Sequence, residues 1–394
     1  MISGFSFTIL YSPLTIHYFQ GKVPSAAKRP PMQATTPFTV NVTPDWQAMR
    51  ACILREGTPQ RVHFIELFLD GEVQQAIADR YGLLPGVTPD DPVFYAKRSL
   101  AIQKFLGYDY IRFTLDDFTV KMHNLAADDT AGENRKAARY FVDESKGPIT
   151  TWEEFETYPW PEPEKASTRS LEWLEENLPE GMCIIASGGL AHFFEWLSFF
   201  MGYETLCYAL YDQRDLVQAI TDRILEINKV TIRRLLQFER VKFIWGSDDL
   251  GFRSGTLISP EDLREFVLPG HKLLAQISHE AGRLYLLHSC GKLDAIMDDL
   301  IDDVKIDAKH SFEDTIESVI EAKETYGRRI SLLGGIDVDF LCRADEAAVR
   351  RRVRETLERC LPGGGYLLGT GNSVANYVPL ENYFAMLDEG RKYR

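Results

Sequence analysis

The sequence predicts an α/β protein of the (β/α)8 TIM-barrel class. Eight short, mostly apolar runs, rich in β-branched and aromatic residues, recur between residues 61 and 369. The runs are nearly continuous rather than alternating in polarity, which is typical of parallel strands buried on both faces. Longer amphipathic stretches lie between them, as crossover helices would. Eight strands joined by helices favour a closed barrel, and a doubly wound open sheet is the alternative.

The predicted elements have identifiable ends. The eight strands are 61–67, 108–115, 182–188, 241–247, 283–288, 304–308, 329–334 and 365–369. Thr43, Ser259 and Ser311 are predicted to cap three helices, because their hydroxyls can accept a bond from a first-turn amide. Gly57 and Gly327 are predicted to end the first and third of these helices. A fourth helix carries an apolar stripe at Val349, Val353, Leu357 and Leu361.

One connection is too long for a simple crossover. Residues 116–181 contain a charged stretch, 128–136, and a turn-rich stretch, 157–165. Since long excursions from compact domains are often lids or binding loops, we expect an insertion after strand 2 that covers the barrel mouth. Residues 44–394 then form one barrel domain. Residues 1–43 form a weakly structured N-terminal extension, whose apolar start lacks the basic residues of a signal peptide.

The composition limits the class of partner. The 394 residues carry 44 Lys and Arg against 58 Asp and Glu, a formal net charge of −14, and 45% of them are hydrophobic. This apolar fraction supports a full core and excludes disorder. The acidic excess argues against nucleic acid and membrane surfaces as partners, so a small-molecule substrate is expected. Six cysteines with no CxxC spacing do not form a secreted disulfide pattern, and a reducing cytoplasm is the expected compartment.

A TIM barrel concentrates reactive groups at the carboxyl ends of its strands, so the strand prediction yields a set of candidate site residues. The polar residues at those ends include Glu66, Asp116, Asp117, Asp248, Asp249, His288, Cys290, His310, Asp337 and Asn372. A barrel without a site has no need of so many carboxylates and imidazoles on one face. We therefore expect a catalytic or binding site there.

The sharpest local pattern is the run HSCG at residues 288–291. Residues two apart in a strand point the same way, so the imidazole of His288 and the thiol of Cys290 can face one ion. A nitrogen and sulfur pair favours zinc. The structural alternative is a buried histidine that simply packs beside a buried cysteine.

Three nearby candidates each have two interpretations. Asp248 and Asp249 either cap a helix or loop, or provide a carboxylate that binds metal or holds a substrate proton. His310 is either a metal ligand or base, or the cap of the helix that begins at Ser311. The sequence pattern alone leaves these alternatives open.

A series of motifs resembles the uroporphyrinogen decarboxylase superfamily. In chain order they are TWEEFETYPWPEP, GYETLCYALYDQRDL, WGSDDLGFRSGTLISPEDLREFVLP, HSCG and GGID. The resemblance covers roughly residues 44–390, and the ordered series is far more specific than any single motif. It implies a TIM barrel independently of the strand pattern.

The resemblance implies one of two chemistries. In the decarboxylase branch, an arginine-bearing loop after strand 1, an aspartate after strand 2 and a histidine near strand 8 act on a porphyrinogen. In the methyltransferase branch, a His-x-Cys after strand 5 and a Cys near strand 8 bind zinc, and methyl groups move between corrinoid proteins and thiols. Here His288 and Cys290 match the methyltransferase pair, whereas Asp116 or Asp117 matches the decarboxylase aspartate. The loop ELFLDGEVQQ has no arginine, and Asn372 stands at the strand 8 position of both branches.

Three hypotheses follow from the resemblance. The first is a zinc-dependent methyltransferase that exchanges a methyl group between a small substrate or thiol and a corrinoid protein. The second is a decarboxylase of uroporphyrinogen or a related tetrapyrrole, and the third is an inactive barrel that binds a corrinoid or small ligand. The resemblance also implies a homodimer, with no residue that marks its interface.

The first hypothesis assigns a role to every candidate. The expected metal ligands are His288, Cys290 and His310, with Asp248 and then Glu66 as the next candidates for the third position. The expected catalytic residues are Asp248, Asp249, Asp117 and Asn372. The expected substrate contacts are Glu66, Asp116 and Asp337.

Overall fold

A computed structural model describes residues 36–118, 120–122, 124–127, 139–142 and 147–393. Residues 1–35, which make up most of the expected N-terminal extension, and the charged stretch 128–136 lie outside the described residues. The described end of that extension is packed against the C-terminal helix. Phe38 is buried there, and both the amide and the hydroxyl of Thr39 donate to the carboxylate of Asp388 at 2.7 Å.

The fold is built on one parallel sheet of seven strands. Its members, in their order across the sheet, are β1 (Tyr110–Phe113), β4 (Cys183–Ala186), β5 (Val241–Ser247), β8 (Leu284–His288), β9 (Ala308–His310), β10 (Ser331–Leu333) and β11 (Tyr366–Leu367). Two small antiparallel hairpins flank it: β2 (Asn124–Ala127) with β3 (Arg139–Val142), and β6 (Gly251–Phe252) with β7 (Gly255–Thr256). Because the strands follow one another in chain order, each connection carries the chain to the next neighbour, as in a barrel.

Helices supply these connections and pack against the sheet. Their bounds are α1 Trp46–Ile53, α2 Gly71–Tyr81, α3 Phe94–Leu106, α4 Trp152–Thr157, α5 Arg169–Asn177, α6 Phe193–Met201, α7 Tyr203–Asp212, α8 Arg214–Leu235, α9 Pro260–Asp262, α10 Leu268–Glu280, α11 Val319–Tyr326, α12 Val338–Arg343, α13 Glu346–Cys360 and α14 Leu380–Lys392. A 3-10 turn at Pro163–Lys165 and π-helical turns at Leu263–Val267 and Asp299–Val304 complete them. Within the described part of the chain, no helix is both long enough and apolar enough to cross a lipid bilayer.

The first predicted strand joins the sheet only through isolated bridges. Two parallel bridges join it to residues that follow β11. Phe64 pairs with Leu368, and Leu69 pairs with Val374. On the other side, the hydroxyl of Tyr110 in β1 accepts from the amide of Glu66 at 2.7 Å and donates to its carbonyl at 3.1 Å. Among the described residues, no backbone ladder joins this segment to β1. The α/β class and a curled seven-stranded parallel sheet are confirmed, whereas the closed eight-stranded barrel stays a prediction.

Four element predictions are wrong in position. Helix α1 ends at Ile53, with Leu54 as its capping residue, and not at Gly57. The sixth strand is Ala308–His310 rather than 304–308, because the preceding π-helical turn runs to Val304 and Lys305 then adopts a left-handed φ of 63°. Ser318, not Ser311, caps α11, where its hydroxyl accepts from the amide of Glu321. Asp45, not Thr43, caps α1, and its carboxylate accepts from the amide of Ala48. Ser259 does cap α9 as expected, accepting from the amide of Asp262.

The long connection after β1 contains the β2–β3 hairpin, α4, a 3-10 turn and α5. An aromatic cluster fixes its middle part to α6, with the rings of Tyr158 and Trp160 lying 5.3 Å and 5.0 Å from that of Phe200. The connection is therefore attached to the helix that follows the third predicted strand.

Candidate metal site

The register of the sheet places two sequence motifs side by side. In the parallel ladder, Ser247 pairs with His288, and His288 pairs in turn with His310. Side chains on adjacent parallel strands at paired positions point to the same face, and so do residues two further along. Asp249 and Cys290, each two residues beyond a paired position, therefore extend the same face past the ends of β5 and β8.

Asp249, His288 and Cys290 form what we call the ligand cluster. A carboxylate oxygen, an imidazole nitrogen and the sulfur all lie within 4.8 Å of one another, and all three residues are buried. Nε2 of His288 lies 3.4 Å from Oδ1 of Asp249 and 3.5 Å from Sγ of Cys290. The amide of Cys290 donates to Oδ1 of Asp249 at 2.9 Å, which ties the two strand ends together.

His310 controls which nitrogen of His288 faces the cluster. The Nδ1 atoms of the two rings lie 2.7 Å apart, and Nε2 of His310 lies 3.2 Å from the carbonyl oxygen of Thr370. A carbonyl only accepts, so Nε2 of His310 carries a proton, and burial holds the pKa of His310 well below its usual range, which keeps the ring neutral. Its Nδ1 must then accept from Nδ1–H of His288. A neutral His288 consequently directs the lone pair of Nε2 at Asp249 and Cys290.

Glycine at position 334 makes room for this arrangement. A Cβ there would lie 2.2 Å from the carbonyl oxygen of Thr370 and 2.9 Å from Nε2 of His310, and the φ of Gly334 is 76°. The Cβ of any other residue would clash with the two atoms whose hydrogen bond fixes the tautomer of His310. The GGID run at 334–337 thus bears on the site through its backbone.

Glu66 extends the same chain of hydrogen bonds on the far side of Thr370. Oε1 accepts from the amide of Thr370 at 3.0 Å, and Oε2 lies 2.5 Å from its hydroxyl. That hydroxyl also donates to the carbonyl oxygen of Asn372 at 3.0 Å, so Thr370 shares its one proton between two acceptors. Burial raises the pKa of Glu66 to about 8, against the hydrogen bonds from Thr370, so the carboxyl is mostly protonated at neutral pH.

Polar groups surround the sulfur of Cys290. Nδ2 of Asn372 donates to Sγ at 3.4 Å, and Oγ of Ser311 lies 3.9 Å away. Burial, and next the charge of Asp249, raise the pKa of Cys290 well above its usual range, so the sulfur holds its proton unless a cation replaces it. Gly291 lets the chain turn sharply behind the thiol, because a Cβ there would lie 2.1 Å from the backbone carbon of Gly251.

Asp248 points away from the ligand cluster, as the alternation along a strand requires. Its two carboxylate oxygens accept from the amides of Phe194 and Glu195 at the start of α6, each at 2.9 Å. Nε2 of His271 in α10 lies 2.9 Å from Oδ2. Asp248 is thus buried between the sheet and two helices. It caps α6, which is the structural one of its two interpretations from the sequence.

Three further candidates lie apart from the ligand cluster. Oδ2 of Asp116 accepts from the amide of Ser170 at 2.8 Å, and so holds the start of α5. Asp117 is exposed, with a left-handed φ of 56°. Asp337 caps α12, with Oδ1 accepting from the amide of Phe340 at 2.8 Å. The structure therefore brings together Asp249, His288, Cys290, His310 and Asn372, with Glu66 joined through Thr370.

Two basic residues beside the site were given no role from the sequence. Lys309 is buried, and Nζ donates to the carbonyl oxygen of Ser311 at 2.7 Å. Burial lowers the pKa of Lys309 to about 8. Arg112 lies on β1, with Nε donating to Oγ of Ser187 at 2.9 Å. A basic residue inside an apolar strand run is the sequence signal that could have identified Arg112, whereas Lys309 directly follows the sixth predicted run.

Comparison with known proteins places these motifs in a family. The sequence model of uroporphyrinogen decarboxylase (URO-D) matches residues 144–393, which is more than half of the chain and includes Asp249, His288, Cys290 and Asn372. A methyltransferase from Methanosarcina mazei has a similar fold, with a TM-score of 0.62 and 17% sequence identity over 87% of this chain and 97% of that one. At that identity the likeness shows the fold alone.

Two curated relatives are similar over shorter segments. The methylcobamide:CoM methyltransferase MtaA of Methanosarcina barkeri is 29% identical over 140 residues, which is 36% of this chain and 39% of that protein. A methylated-thiol–coenzyme M methyltransferase of Methanosarcina mazei is 34% identical over 130 residues, 33% of this chain and 32% of that protein. The chain thus matches well under half the length of either relative. Both relatives are named as methyltransferases. With a family match over more than half of its residues, the chain belongs to the uroporphyrinogen decarboxylase (URO-D) family.

Proposed function

We propose that the protein is a zinc-dependent methyltransferase that moves a methyl group between a corrinoid protein and a thiol. The observation that carries the proposal is the convergence of three electron-pair donors in the ligand cluster. With the tautomer of His288 fixed by His310, the lone pair of Nε2 lies 3.4 Å from a carboxylate oxygen and 3.5 Å from a sulfur. Such a group of donors is stable only around a proton or a metal cation.

The donor set suits zinc. An imidazole nitrogen, a thiolate sulfur and a carboxylate oxygen are all common zinc ligands, and two anionic ligands balance the charge of the ion. Three protein ligands leave a fourth position for substrate, which is the arrangement of catalytic rather than structural zinc sites. We therefore assign Asp249 as the third ligand, because His310 uses Nδ1 toward His288 and Nε2 toward Thr370.

When bound, zinc would supply the Lewis acidity that lowers the pKa of a coordinated thiol until it is a thiolate at neutral pH. The chain's own residues act around that function. His310 holds His288 in the ligating tautomer, and the amide of Cys290 holds the carboxylate of Asp249 in place. Asn372 donates to the sulfur of Cys290 and so moderates its charge.

The wider assignment also belongs to the proposal. The corrinoid would be carried by a second protein, and the names of the two relatives support a methylated corrinoid or a methylated thiol as the donor. The connection after β1 would exclude water or receive that partner at the mouth of a closed barrel of eight strands. A reducing compartment such as the cytoplasm would keep Cys290 a free thiol.

Metal analysis tests the proposal. Protein purified without chelator is expected to contain one zinc ion per chain, and Cys290→Ala and Asp249→Ala are expected to lose it while the far-ultraviolet circular dichroism is unchanged. Cys342→Ala is the matched control, because Cys342 lies far along the chain on α12 and is only partly buried. Zinc retained by Cys290→Ala, or folded wild-type protein that binds no zinc, would overturn the proposal.

A turnover assay separates the methyltransferase from an inactive barrel. Free methylcobalamin replaces the corrinoid protein as donor, and demethylation is followed in the visible spectrum with a series of small thiols as acceptors. The expected result is a rate that depends on zinc and on Cys290. Zinc binding without turnover of any thiol would leave only a ligand-binding role.

A further inference from the structure

Arg112 presents a positive charge to the concave side of the sheet. It lies on β1, and its guanidinium carbon is 4.7 Å from the ring centroid of Trp245 on β5. These two strands are separated by β4, so their side chains can meet only across the concave face. Nε of Arg112 donates to Oγ of Ser187, which directly follows β4, at 2.9 Å. The guanidinium thus packs over an aromatic ring, and its Nε is already held by a hydrogen bond.

No carboxylate forms an ion pair with Arg112 among the residues that the structure describes. Other arginines that the fold encloses are compensated: Arg61 pairs with Asp109, and Arg391 donates to the backbone carbonyls of Val40 and Leu106. Arg112 is half-buried, its two terminal amino groups have no described partner, and burial lowers its pKa to about 10, so it is still charged at neutral pH. An enclosed charge without a counter-ion is costly, and proteins keep one where a ligand supplies the opposite charge.

A series of ring contacts leads from the guanidinium to the ligand cluster. The ring of Trp245, against which it packs, lies 5.6 Å from the ring of His310, and that ring lies 5.0 Å from the ring of His288. One row of packed side chains therefore connects the positive charge to the cluster.

We propose that Arg112 and Ser187 form an oxyanion subsite that binds the carboxylate or sulfonate of a small substrate whose reacting atom lies at the ligand cluster. The proposal rests on the proposed function, since it uses the ligand cluster as the place of reaction. A planar guanidinium offers paired N–H groups that match a carboxylate or sulfonate. Packing against Trp245 and the hydrogen bond to Ser187 hold those donors in position. The subsite therefore selects anionic thiols over neutral ones.

Binding of thiols to the cobalt(II)-substituted protein tests the proposal without turnover. Cys290 already gives the cobalt protein a thiolate charge-transfer band, and the change in that band reports binding of 2-mercaptoethanol, 3-mercaptopropionate and 2-mercaptoethanesulfonate, which are neutral, carboxylate and sulfonate compounds. Wild type is expected to bind at least one anionic thiol about tenfold or more tightly than the neutral one. Arg112→Gln is expected to abolish that preference while leaving the affinity for 2-mercaptoethanol unchanged, and Arg112→Lys is expected to keep part of it.

Arg343→Gln is the matched control for the loss of one positive charge, because Arg343 is exposed and pairs with Asp339 at the surface. Equal affinities of wild type for the three thiols, or an unchanged preference in Arg112→Gln, would overturn the subsite. The carboxylate and the sulfonate are distinguished by which anionic thiol binds more tightly.

A protein that shows no cobalt band contradicts the proposed metal function, and a second measurement then decides the subsite alone. Propionate and ethanesulfonate, which lack a thiol, are expected to raise the melting temperature of wild type but not that of Arg112→Gln. The absence of any such rise in wild type would overturn the subsite.

Discussion

The Nδ1 atoms of His288 and His310 lie 2.7 Å apart, a contact that follows from their pairing in the parallel ladder between β8 and β9. Through this contact, the carbonyl of Thr370 determines the tautomer of a ring two steps away. His310 thereby acts as a positioning residue for the ligand cluster rather than as one of its donors. Groups in this position set both the orientation and the basicity of a metal-ligating histidine.

Replacement of His310 tests this role. His310→Phe keeps an aromatic ring beside Trp245 but removes the acceptor of the His288 proton, so zinc affinity is expected to fall by about 10- to 100-fold. Competition with a chromophoric chelator measures the affinity. His279→Gln is the matched control, because His279 pairs with Asp307 at the protein surface. An unchanged dissociation constant in His310→Phe would contradict the positioning role.

The fold could be predicted largely because its strands are buried on both faces. A continuous apolar run such as 241–247 is visible in sequence, and β5 occupies it in full. The predicted strand at 304–308 is misplaced for a local reason. Its first residues belong to a π-helical turn and to a left-handed turn at Lys305, and the strand begins only after them. The first predicted strand forms no ladder with β1, because the hydroxyl of Tyr110, and not the backbone of β1, bonds to the backbone of Glu66.

The site could be predicted only in part, because alternation along a strand needs an exact register. Asp248 and Asp249 are adjacent acids, and the sequence cannot tell which one faces the interior; the ladder partner of Ser247 decides it. The HSCG run was identified from the spacing of two donor types. The relay through Thr370 to Glu66 joins residues that are 304 positions apart, and no local pattern indicates it.

Asp248 is expected to matter for stability rather than for metal binding. In Asp248→Asn, an amide replaces one of the two oxygens that accept from the start of α6, so one buried N–H loses its acceptor. The free energy of unfolding is expected to fall by about 3 kcal/mol. Urea denaturation measures this loss, and metal analysis of the folded protein is expected to give an unchanged zinc content. Zinc loss at unchanged stability would place Asp248 in the metal site instead.

Glu66 is expected to make stability depend on pH. Burial raises its pKa to about 8, so its contribution to stability is complete below the ordinary glutamate pKa of about 4.3 and is lost as the pH rises through about 8. Glu66→Gln preserves both contacts to Thr370 with a neutral amide, and is expected to be less sensitive to pH over this range. The difference between wild type and variant is on the order of a few kcal/mol.

Urea denaturation at pH 6 and at pH 8.5 measures this effect. Wild type is expected to lose more stability between the two pH values than Glu66→Gln does. Glu358→Gln, at an exposed position of α13, is the matched control and is expected to follow wild type. The same loss in wild type and Glu66→Gln would show that Glu66 is already ionised at pH 6.

Asn372 is the residue whose replacement is expected to strengthen the metal site. Its Nδ2 lies 3.4 Å from the sulfur of Cys290, so a cysteine at this position would place a second sulfur near the first. Two thiolates on one tetrahedral zinc ion lie about 3.8 Å apart, given zinc–sulfur bonds of about 2.3 Å. Asn372→Cys is therefore expected to bind zinc about tenfold or more tightly in the chelator competition, because it adds a fourth protein ligand. The same ligand would close the position that substrate needs, so turnover of thiols is expected to fall as affinity rises.

Asn177→Cys, which adds an exposed thiol on α5, is expected to change neither the zinc affinity nor the turnover. Unchanged zinc affinity in Asn372→Cys would show that position 372 lies outside the coordination sphere.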